Sequence, residues 1–408
     1  MRICMLAYAF YESDNRIRRY AETLVRRGDE VDAIVLRRHG QPKYRQIGGV
    51  HVYGIQERER NERGSLSYLL KLLAFFFRSI WHVTAHHLKG RYDVIHVHSV
   101  PDFEVFATII PWIMGSKVIL DIHDIVPEFY ASKFNVTQDS FAIRILLGIE
   151  KLSAWFSHHV IIANHLWYTK ITQRSTPESK CTPIINYPDL SIFYRRPRSR
   201  PSDEPFLMCY PGTLNWHQGV DLAIEAVGLL RDRAPNLRFL IIGDGPDREA
   251  LQALIRQKNL GDRVTMTGLI PIEKVAEKLA DVDLGVVPKR GNGFGDEAFS
   301  TKIMEFMAMG VPVVTGNTRI DQYYFNENVA QFFEAGNVED LAATIFDLMQ
   351  SPVKRQGLRE RASEFILSNS WDVRKHEYLQ LVDSLAGQKA SPEVASDRPG
   401  TIDVHGGR

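Results

Sequence analysis

Glu297 and Glu305 stand in the run Gly295-Asp-Glu-Ala-Phe-Ser-Thr-Lys-Ile-Met-Glu-Phe-Met-Ala-Met-Gly310, with Ser300, Thr301 and Lys302 between them. Ser300 or Thr301 can cap a helix. Gly310 would stop it, and Pro312 opens the next strand. Glu305 then lies on the helix and Glu297 in the loop before it. A helix start offers unpaired backbone N–H groups and the positive end of the dipole, which suits a diphosphate. Lys302 in the first turn opposes that dipole, so its presence points to an anion that compensates it. Glu305 is placed to accept two charge-assisted hydrogen bonds from a ribose 2′,3′-diol, each worth roughly 1.5–3 kcal/mol. Two glutamates at this spacing also arise by chance, so the surrounding elements must support the assignment.

Those elements alternate from the first residue. Ile3–Ala9 reads as a strand, Arg16–Arg27 as a helix ending at Gly28, and Glu30–Leu36 as the next strand. Val94–His98 and Val118–Ile122 repeat the theme, which predicts a parallel sheet with crossover helices. Such sheets bind ligands beyond the carboxyl ends of their strands. The polar, proline-rich residues 195–205 read as a linker. Beyond them the pattern restarts with strands at Phe206–Tyr210, Phe239–Ile242, Val264–Thr267, Leu284–Val287 and Pro312–Thr315. Two successive Rossmann-like α/β domains are therefore expected, at 1–194 and 206–370. A helix at 371–387 follows, and a tail at 388–408 lacks apolar periodicity and is expected to be disordered.

The composition, 44% hydrophobic and 24% charged, is that of a globular protein, and the net charge of +1 argues against a nucleic-acid binder. The first hundred residues are nonetheless basic, with seventeen Lys/Arg against ten Asp/Glu. Such a surface is either simply solvated or faces an anionic partner such as a phospholipid layer. Three scattered cysteines, Cys4, Cys181 and Cys209, offer neither a disulfide framework nor a metal cluster, which suits a reducing cytoplasm. The N terminus reads as a strand rather than a leader, and Asn135-Val136-Thr137 as a chance glycosylation pattern. In residues 66–88 the apolar Leu66, Leu69, Leu70, Leu73, Phe76, Phe77 and Ile80 recur at helical spacing, opposite Ser67, Lys71, Arg78 and His82. The two cations make a poor transmembrane span. A crossover helix packed on the sheet is the first expectation, and an amphipathic helix lying on a bilayer is the second.

Several landmarks now combine. The run from Glu297 to Val314 resembles the Glu-x7-Glu donor motif of glycosyltransferase family 4, the retaining family with the GT-B fold. Ser300-Thr301-Lys302-Ile303-Met304-Glu305 resembles its Ser-Lys-Ile-x-Glu core with one residue inserted. Tyr210-Pro-Gly-Thr-Leu-Asn-Trp-His-Gln-Gly219 is similar to the family's opening strand and glycine loop. Ile242-Gly-Asp-Gly-Pro246, Val264-Thr-Met-Thr-Gly268 and Ala280-Asp-Val-Asp-Leu-Gly-Val-Val-Pro288 resemble its next landmarks, as do Asn186-Tyr-Pro-Asp189 with Phe193 and Trp371.

The resemblance implies two Rossmann-like parallel-sheet domains facing a cleft, the last helix crossing back to the first domain. It implies that Glu305 binds ribose and Glu297 the hydroxyls of the transferred sugar, while Lys302, Thr301 and the Gly212 loop surround the diphosphate. His123, in Leu120-Asp-Ile-His-Asp-Ile-Val-Pro-Glu128, falls where the family places a cleft histidine that supports charge at the anomeric carbon. A structural histidine at a strand end is the alternative, and for His98 the preferred one. Two loop cations of the family are replaced by Thr213 and Gln218, which leaves Lys302 and Arg290 to meet the diphosphate. Near the N terminus Tyr11-Glu-Ser-Asp14-Asn-Arg16-Ile-Arg18-Arg19 replaces a glycine pair. Asp14, Arg16 and Arg19 either touch the acceptor, an arginine meeting its phosphate, or form a basic helix start capped by Asp14.

No metal or other cofactor is expected. Asp281-Val-Asp283 imitates a metal motif but leads into a buried strand, and Gly243-Asp-Gly245 lacks the third glycine of a dinucleotide fingerprint. The expected function is transfer of a sugar from a nucleotide sugar, UDP-linked before GDP-linked, to a glycan or lipid-linked acceptor in surface polysaccharide synthesis. The expected place is the cytoplasm, with peripheral contact to an anionic membrane and no nucleic-acid partner. The alternatives are a nucleotide-sugar epimerase of the same fold and a non-catalytic sugar-nucleotide-binding subunit.

Overall fold

Short β-branched runs form the strands, and the amphipathic stretches between them supply the crossovers that parallel pairing requires. The computed structural model describes residues 1–58, 65–134, 136–137, 139–201, 204–291 and 293–387. Asn135, the side chain of Leu66 and the tail from 388 lie outside the described residues. Among the described residues the chain divides into two units, Met1–Asn186 with 375–387, and Tyr187–Arg374.

The first unit opens with β1 (Arg2–Phe10), α1 (Asn15–Arg27), β2 (Glu30–Arg37), β3 (Tyr44–Ile47) and β4 (Val50–Glu57). It continues with α2 (Ser65–Lys89), β5 (Val94–His98), a 3-10 segment (Asp102–Thr108), α3 (Ile109–Ile113) and β6 (Lys117–Ile122). Then come α4 (Val126–Phe134), α5 (Phe141–Phe156), β7 (His159–Ile162), α6 (His165–Arg174) and β8 (Cys181–Pro183). The sheet order is β3-β4-β2-β1-β5-β6-β7-β8, and the antiparallel pairing among the described residues is the β3–β4 hairpin at one edge. β1 starts the chain yet sits inside the sheet, with β2 on one side and β5 on the other. Strand order reverses there, which is where open sheets hold ligands. Asp14 caps α1 by accepting the N–H groups of Arg16 and Ile17, both at 3.1 Å. Gly28 ends it in the left-handed conformation at φ 99°.

In the second unit β9 (Phe206–Pro211), α7 (Val220–Leu229), β10 (Leu237–Ile242), α8 (Arg248–Gln257) and β11 (Val264–Gly268) come first. They are followed by α9 (Ile272–Leu279), β12 (Leu284–Val287), α10 (Thr301–Ala308), β13 (Val313–Gly316) and α11 (Arg319–Tyr324). The remainder is β14 (Gln331–Phe333), α12 (Val338–Gln350), α13 (Pro352–Ser368) and α14 (Trp371–Ala386). The parallel sheet has the order β11-β10-β9-β12-β13-β14. Its core buries Met208, Phe239, Ile241, Val286, Val314 and Ile345. Here β9 and β12 flank the reversal of strand order, so the loops after them frame the second candidate site.

Residues 195–205 do not form a loose connector where they are described. The Ser199 N–H and hydroxyl donate to Asp281 at 2.7 and 2.5 Å, and Arg200 pairs with Asp283 at 2.7 Å. The Asp-Val-Asp motif is thus occupied in fastening this segment to the second unit. From Lys375, α14 packs within the first unit. Tyr378 lies 4.2 Å from Tyr20, ring centre to ring centre, and its hydroxyl bonds His96 Nδ1 at 3.0 Å.

The helix read at 66–88 is present, but its buried arc differs from the expected one. Leu72, Phe75, Ser79 and Val83 face the protein. Leu69, Leu70, Leu73 and Phe77, all assigned to the packed stripe by spacing, are exposed. The helix is apolar around most of its circumference, so periodicity alone misplaced the contact face.

Candidate functional site

In the second unit, Lys302 crosses the glycine loop that follows β9. A Cβ added at Gly212 would lie 2.1 Å from Lys302 Cε, so the lysine runs close against the backbone of this glycine. Gly219, at φ 66°, allows equally close packing, since a Cβ there would meet the Pro288 carbonyl oxygen at 1.9 Å. The Lys302 ammonium donates to Gln218 Oε1 at 3.1 Å and lies 5.5 Å from the centre of the Tyr210 ring. Tyr210 donates to the Thr213 carbonyl at 2.8 Å and reaches the same Gln218 oxygen at 3.1 Å. Burial pulls the lysine pKa down to about 8, against the pull of Glu305 in the other direction. Burial, with Lys302 and Lys289 nearby, also lowers His217 to about 4. This corner thus holds a cation, Lys302, that its surroundings do not fully compensate.

Ser300 occupies the cap position of α10, but its side chain makes no capping hydrogen bond, and its buried hydroxyl has no partner among the described residues. Thr301 and Lys302 begin the helix, and Glu305, half-buried, follows one turn after Thr301. Glu297 accepts from Arg319 Nη1 at 3.0 Å, while the Arg319 N–H donates to Asp296 at 2.9 Å. Arg290 is held by Asp221 through two contacts of 3.0 and 2.5 Å and stacks on Trp216 at 4.7 Å. Its charge is already matched, which leaves Lys302 as the better placed of the two expected cations.

Lys289 escaped the sequence reading. It is 2% exposed, and its ammonium contacts both Asp321 oxygens at 3.1 and 3.0 Å. It also donates to the Ala298 carbonyl at 2.9 Å, next to Glu297. A buried charge pair therefore ties down the loop that carries Glu297. A lysine directly after the β12 strand and Pro288 was the available signal, but nothing in the sequence paired it with Asp321.

In the first unit, a cleft of about 260 Å³ opens after β1 and β5, lined in part by Tyr8, Asp14, Arg58, His98 and His123. His123 Nε2 lies 3.2 Å from Asp121 Oδ2. Since a carboxylate only accepts, a proton on Nε2 makes this contact, and the same nitrogen lies 3.1 Å from His98 Nδ1. Arg16 grips Asp121 with two bonds of 2.8 Å. Although burial would raise it, Arg16 and His123 hold the Asp121 carboxyl well below the usual range. Burial and the neighbouring His96 keep His98 well below the ordinary imidazole value, so His98 is neutral where it lines the cleft.

The acceptor assignment divides accordingly. Asp14 lines the cleft and caps α1. Arg16 is buried, with its remaining donor Nη1 on the Ile184 carbonyl and the Asn186 side chain, each at 2.9 Å. Arg19 is 8% exposed and donates to Asn186 at 3.0 Å. Asp14 therefore does cap the start of α1, and the Arg16 and Arg19 side chains are buried against protein groups. Arg58, stacked 4.9 Å over Tyr8, is the cation that lines the cleft instead. His96, His98 and Asp121 have metal-ligand spacing, yet the guanidinium of Arg16 already neutralises the carboxylate such a cation would need.

Both halves of the chain match known families: residues 13–186 the glycosyl transferase 4-like domain, and residues 193–365 the glycosyl transferases group 1. A glycosyltransferase assigned to colanic acid biosynthesis in Escherichia coli K12 is 32% identical over 151 residues, 37% of each chain. The GDP-mannose-dependent alpha-(1-6)-phosphatidylinositol monomannoside mannosyltransferase of Mycolicibacterium smegmatis is 26% identical over 47% of this chain and 50% of its own. The match thus spans half or less of these two relatives. In structure, sucrose-phosphate synthase of Thermosynechococcus elongatus superposes with a TM-score of 0.77 at 18% identity, over 95% of this chain and 99% of its own. Anabaena HepE, solved with UDP-glucose, gives 0.71 at 16% identity over 94% of this chain and all of its own, 100%. At these identities the two structures speak to the fold alone. Each half of the chain thus carries a domain that matches a glycosyltransferase family, and its two parallel-sheet units have the GT-B fold.

Proposed function

We propose that this chain is a retaining glycosyltransferase that moves a hexosyl residue from a nucleotide diphosphate sugar, a UDP-sugar before a GDP-sugar, to a hydroxyl of a lipid-linked glycan in surface polysaccharide synthesis. The observation that carries this reading is the corner formed by Lys302, the Gly212 loop and the start of α10. A cation whose pKa burial lowers, a helix start without a side-chain cap, and a glycine loop against which Lys302 lies suit a diphosphate. Glu305 takes the ribose diol, and Thr301, Ser300 and Thr213 supply polar contacts around the phosphates. Gln218 positions Lys302. Relatives named for polysaccharide and glycolipid synthesis support the acceptor class.

In the proposed reaction the acceptor hydroxyl attacks the anomeric carbon on the face from which the diphosphate leaves. The carbon–oxygen bond to phosphate breaks, and the departing phosphate takes the acceptor proton, so no protein nucleophile is required. Glu297 binds hydroxyls of the transferred sugar. His123, oriented by Asp121, supports charge at the anomeric carbon. Charge on the leaving group is met by Lys302 and the α10 amides, without a metal. Arg58 replaces Arg16 and Arg19 as the cation for an acceptor phosphate. The test is incubation with nucleotide hexoses, with and without a lipid-linked acceptor. Transfer, or slow donor hydrolysis abolished by Glu305→Ala and by His123→Ala, supports the proposal. Rapid epimer formation without acceptor, or binding without turnover, contradicts it.

A further inference from the structure

The first unit carries a wide apolar surface that the proposed reaction does not use. On α5, Phe141, Ile145, Leu152 and Trp155 are 79, 48, 58 and 75% exposed. Together with Gly148 they follow one another at four- and three-residue steps, so they form one stripe about 21 Å long. The side of Gly148 is open, with nothing within 4 Å of an added Cβ. On α2, Leu70, Phe77 and Trp81 are 59, 65 and 73% exposed, and on α3 Ile113 is 69% exposed. These elements lie side by side. Phe76 of α2 meets Phe103 at 5.7 Å, while Phe106 and Trp112 meet Phe156 of α5 at 5.2 and 5.4 Å. A surface this apolar calls for a partner.

Charge decides which partner. Within α2 and α3 there is no Asp or Glu at all. The acid of α5, Glu150, is buried and paired with Arg174 at 2.6 Å. The cations are on the outside: Arg78, Lys89, Arg144 and Lys151 are exposed. A second copy related by a two-fold axis would set this cationic patch against itself, with no exposed acid on these helices to relieve it. A layer of anionic lipid accepts both components, the rings and aliphatic chains in its interface and the cations among its headgroups. Among the described residues no helix is long and apolar enough to cross a membrane, so the contact is one of lying on the surface.

We infer that the outer faces of α2, α3 and α5 form a docking surface for an anionic lipid bilayer. This deepens the reading of a lipid-linked acceptor and rests on it for its purpose. Vesicle binding, measured without any sugar nucleotide, can succeed or fail independently of transfer. The full chain is mixed with phosphatidylcholine vesicles, with or without one part in three of phosphatidylglycerol, and the bound fraction is read by flotation. The expected result is binding that needs the anionic lipid, weakens with salt and blue-shifts tryptophan fluorescence. Arg144→Glu and Lys151→Glu should each weaken it roughly fivefold or more. Leu152→Ser with Trp155→Ser should weaken it at least about tenfold, with unchanged thermal unfolding because both side chains are exposed. Equal failure to bind either vesicle overturns the inference. So does a dimer in light scattering that Trp155→Ser dissociates, since the face would then belong to a second copy.

Discussion

Lys289 and Asp321 offer a perturbation that separates folding from binding. The pair is almost wholly buried, and the lysine also holds the Ala298 carbonyl. Lys289→Met strands the Asp321 carboxylate with the Thr315 hydroxyl, at 3.1 Å, among its few remaining partners. Asp321→Leu strands the ammonium. Each single change is expected to cost about 3–5 kcal/mol, because a buried charge loses its counter-charge. The double variant replaces the pair by apolar side chains and should lie within about 1–2 kcal/mol of the parent. The coupling between the sites is then several kcal/mol, far above the few tenths seen between independent positions. Stability recovers in the double variant, but the link from residue 289 to Ala298 does not. Nucleotide-sugar affinity should therefore stay reduced, by about five- to tenfold if the lost hydrogen bond is worth about 1 kcal/mol or slightly more. Urea denaturation of the four proteins gives the cycle, and calorimetric titration with UDP-glucose gives the affinities. Additive single effects, or full donor affinity in the double variant, would refute the reasoning.

Two titrating groups extend the test. Burial lowers Lys302 to about 8, so the free protein loses this charge as pH rises through 8, and a diphosphate should restore it. Binding at pH 8.5 is expected to take up protons and to weaken as pH rises further, as read by calorimetry in buffers of different ionisation enthalpy. Lys302→Arg, which stays charged, should abolish the uptake, and uptake that persists in that variant contradicts the assignment. Glu104, fully buried, is pushed up to about 8 by burial. Its folded pKa lies above the unfolded one, so it disfavours folding progressively from about pH 4.5 to 8, by at most about 5 kcal/mol. Glu104→Gln should gain stability over that window relative to the parent in denaturation at several pH values, and an unchanged pH profile would refute this.

The strands were legible in sequence because each is a short apolar run closed by a turn residue. Val94–His98 and Leu284–Val287 coincide with β5 and β12. The β3–β4 hairpin was overlooked, although Val50, Val52, Gly54 and Gln56 alternate inward with period two. The α10 segment was legible because Ser300 and Gly310 bound a helix. What the sequence could not carry were pairings over long separations. Arg16 with Asp121, and Lys289 with Asp321, neutralise charges far apart in the chain. A surface cation and a buried one look alike until their partners are known. The same blindness misplaced the packed arc of α2, where apolar residues occupy both the covered and the uncovered side.

The central claim is that a nucleoside diphosphate rests on Lys302 and the first turn of α10 with its ribose on Glu305. A crystal structure with bound UDP tests it most directly. The account predicts diphosphate oxygens within hydrogen-bonding distance of Lys302 Nζ and the α10 amides, and both ribose hydroxyls on the Glu305 carboxylate. A nucleotide bound elsewhere, or a Glu305 carboxylate turned away from the ribose, would contradict it.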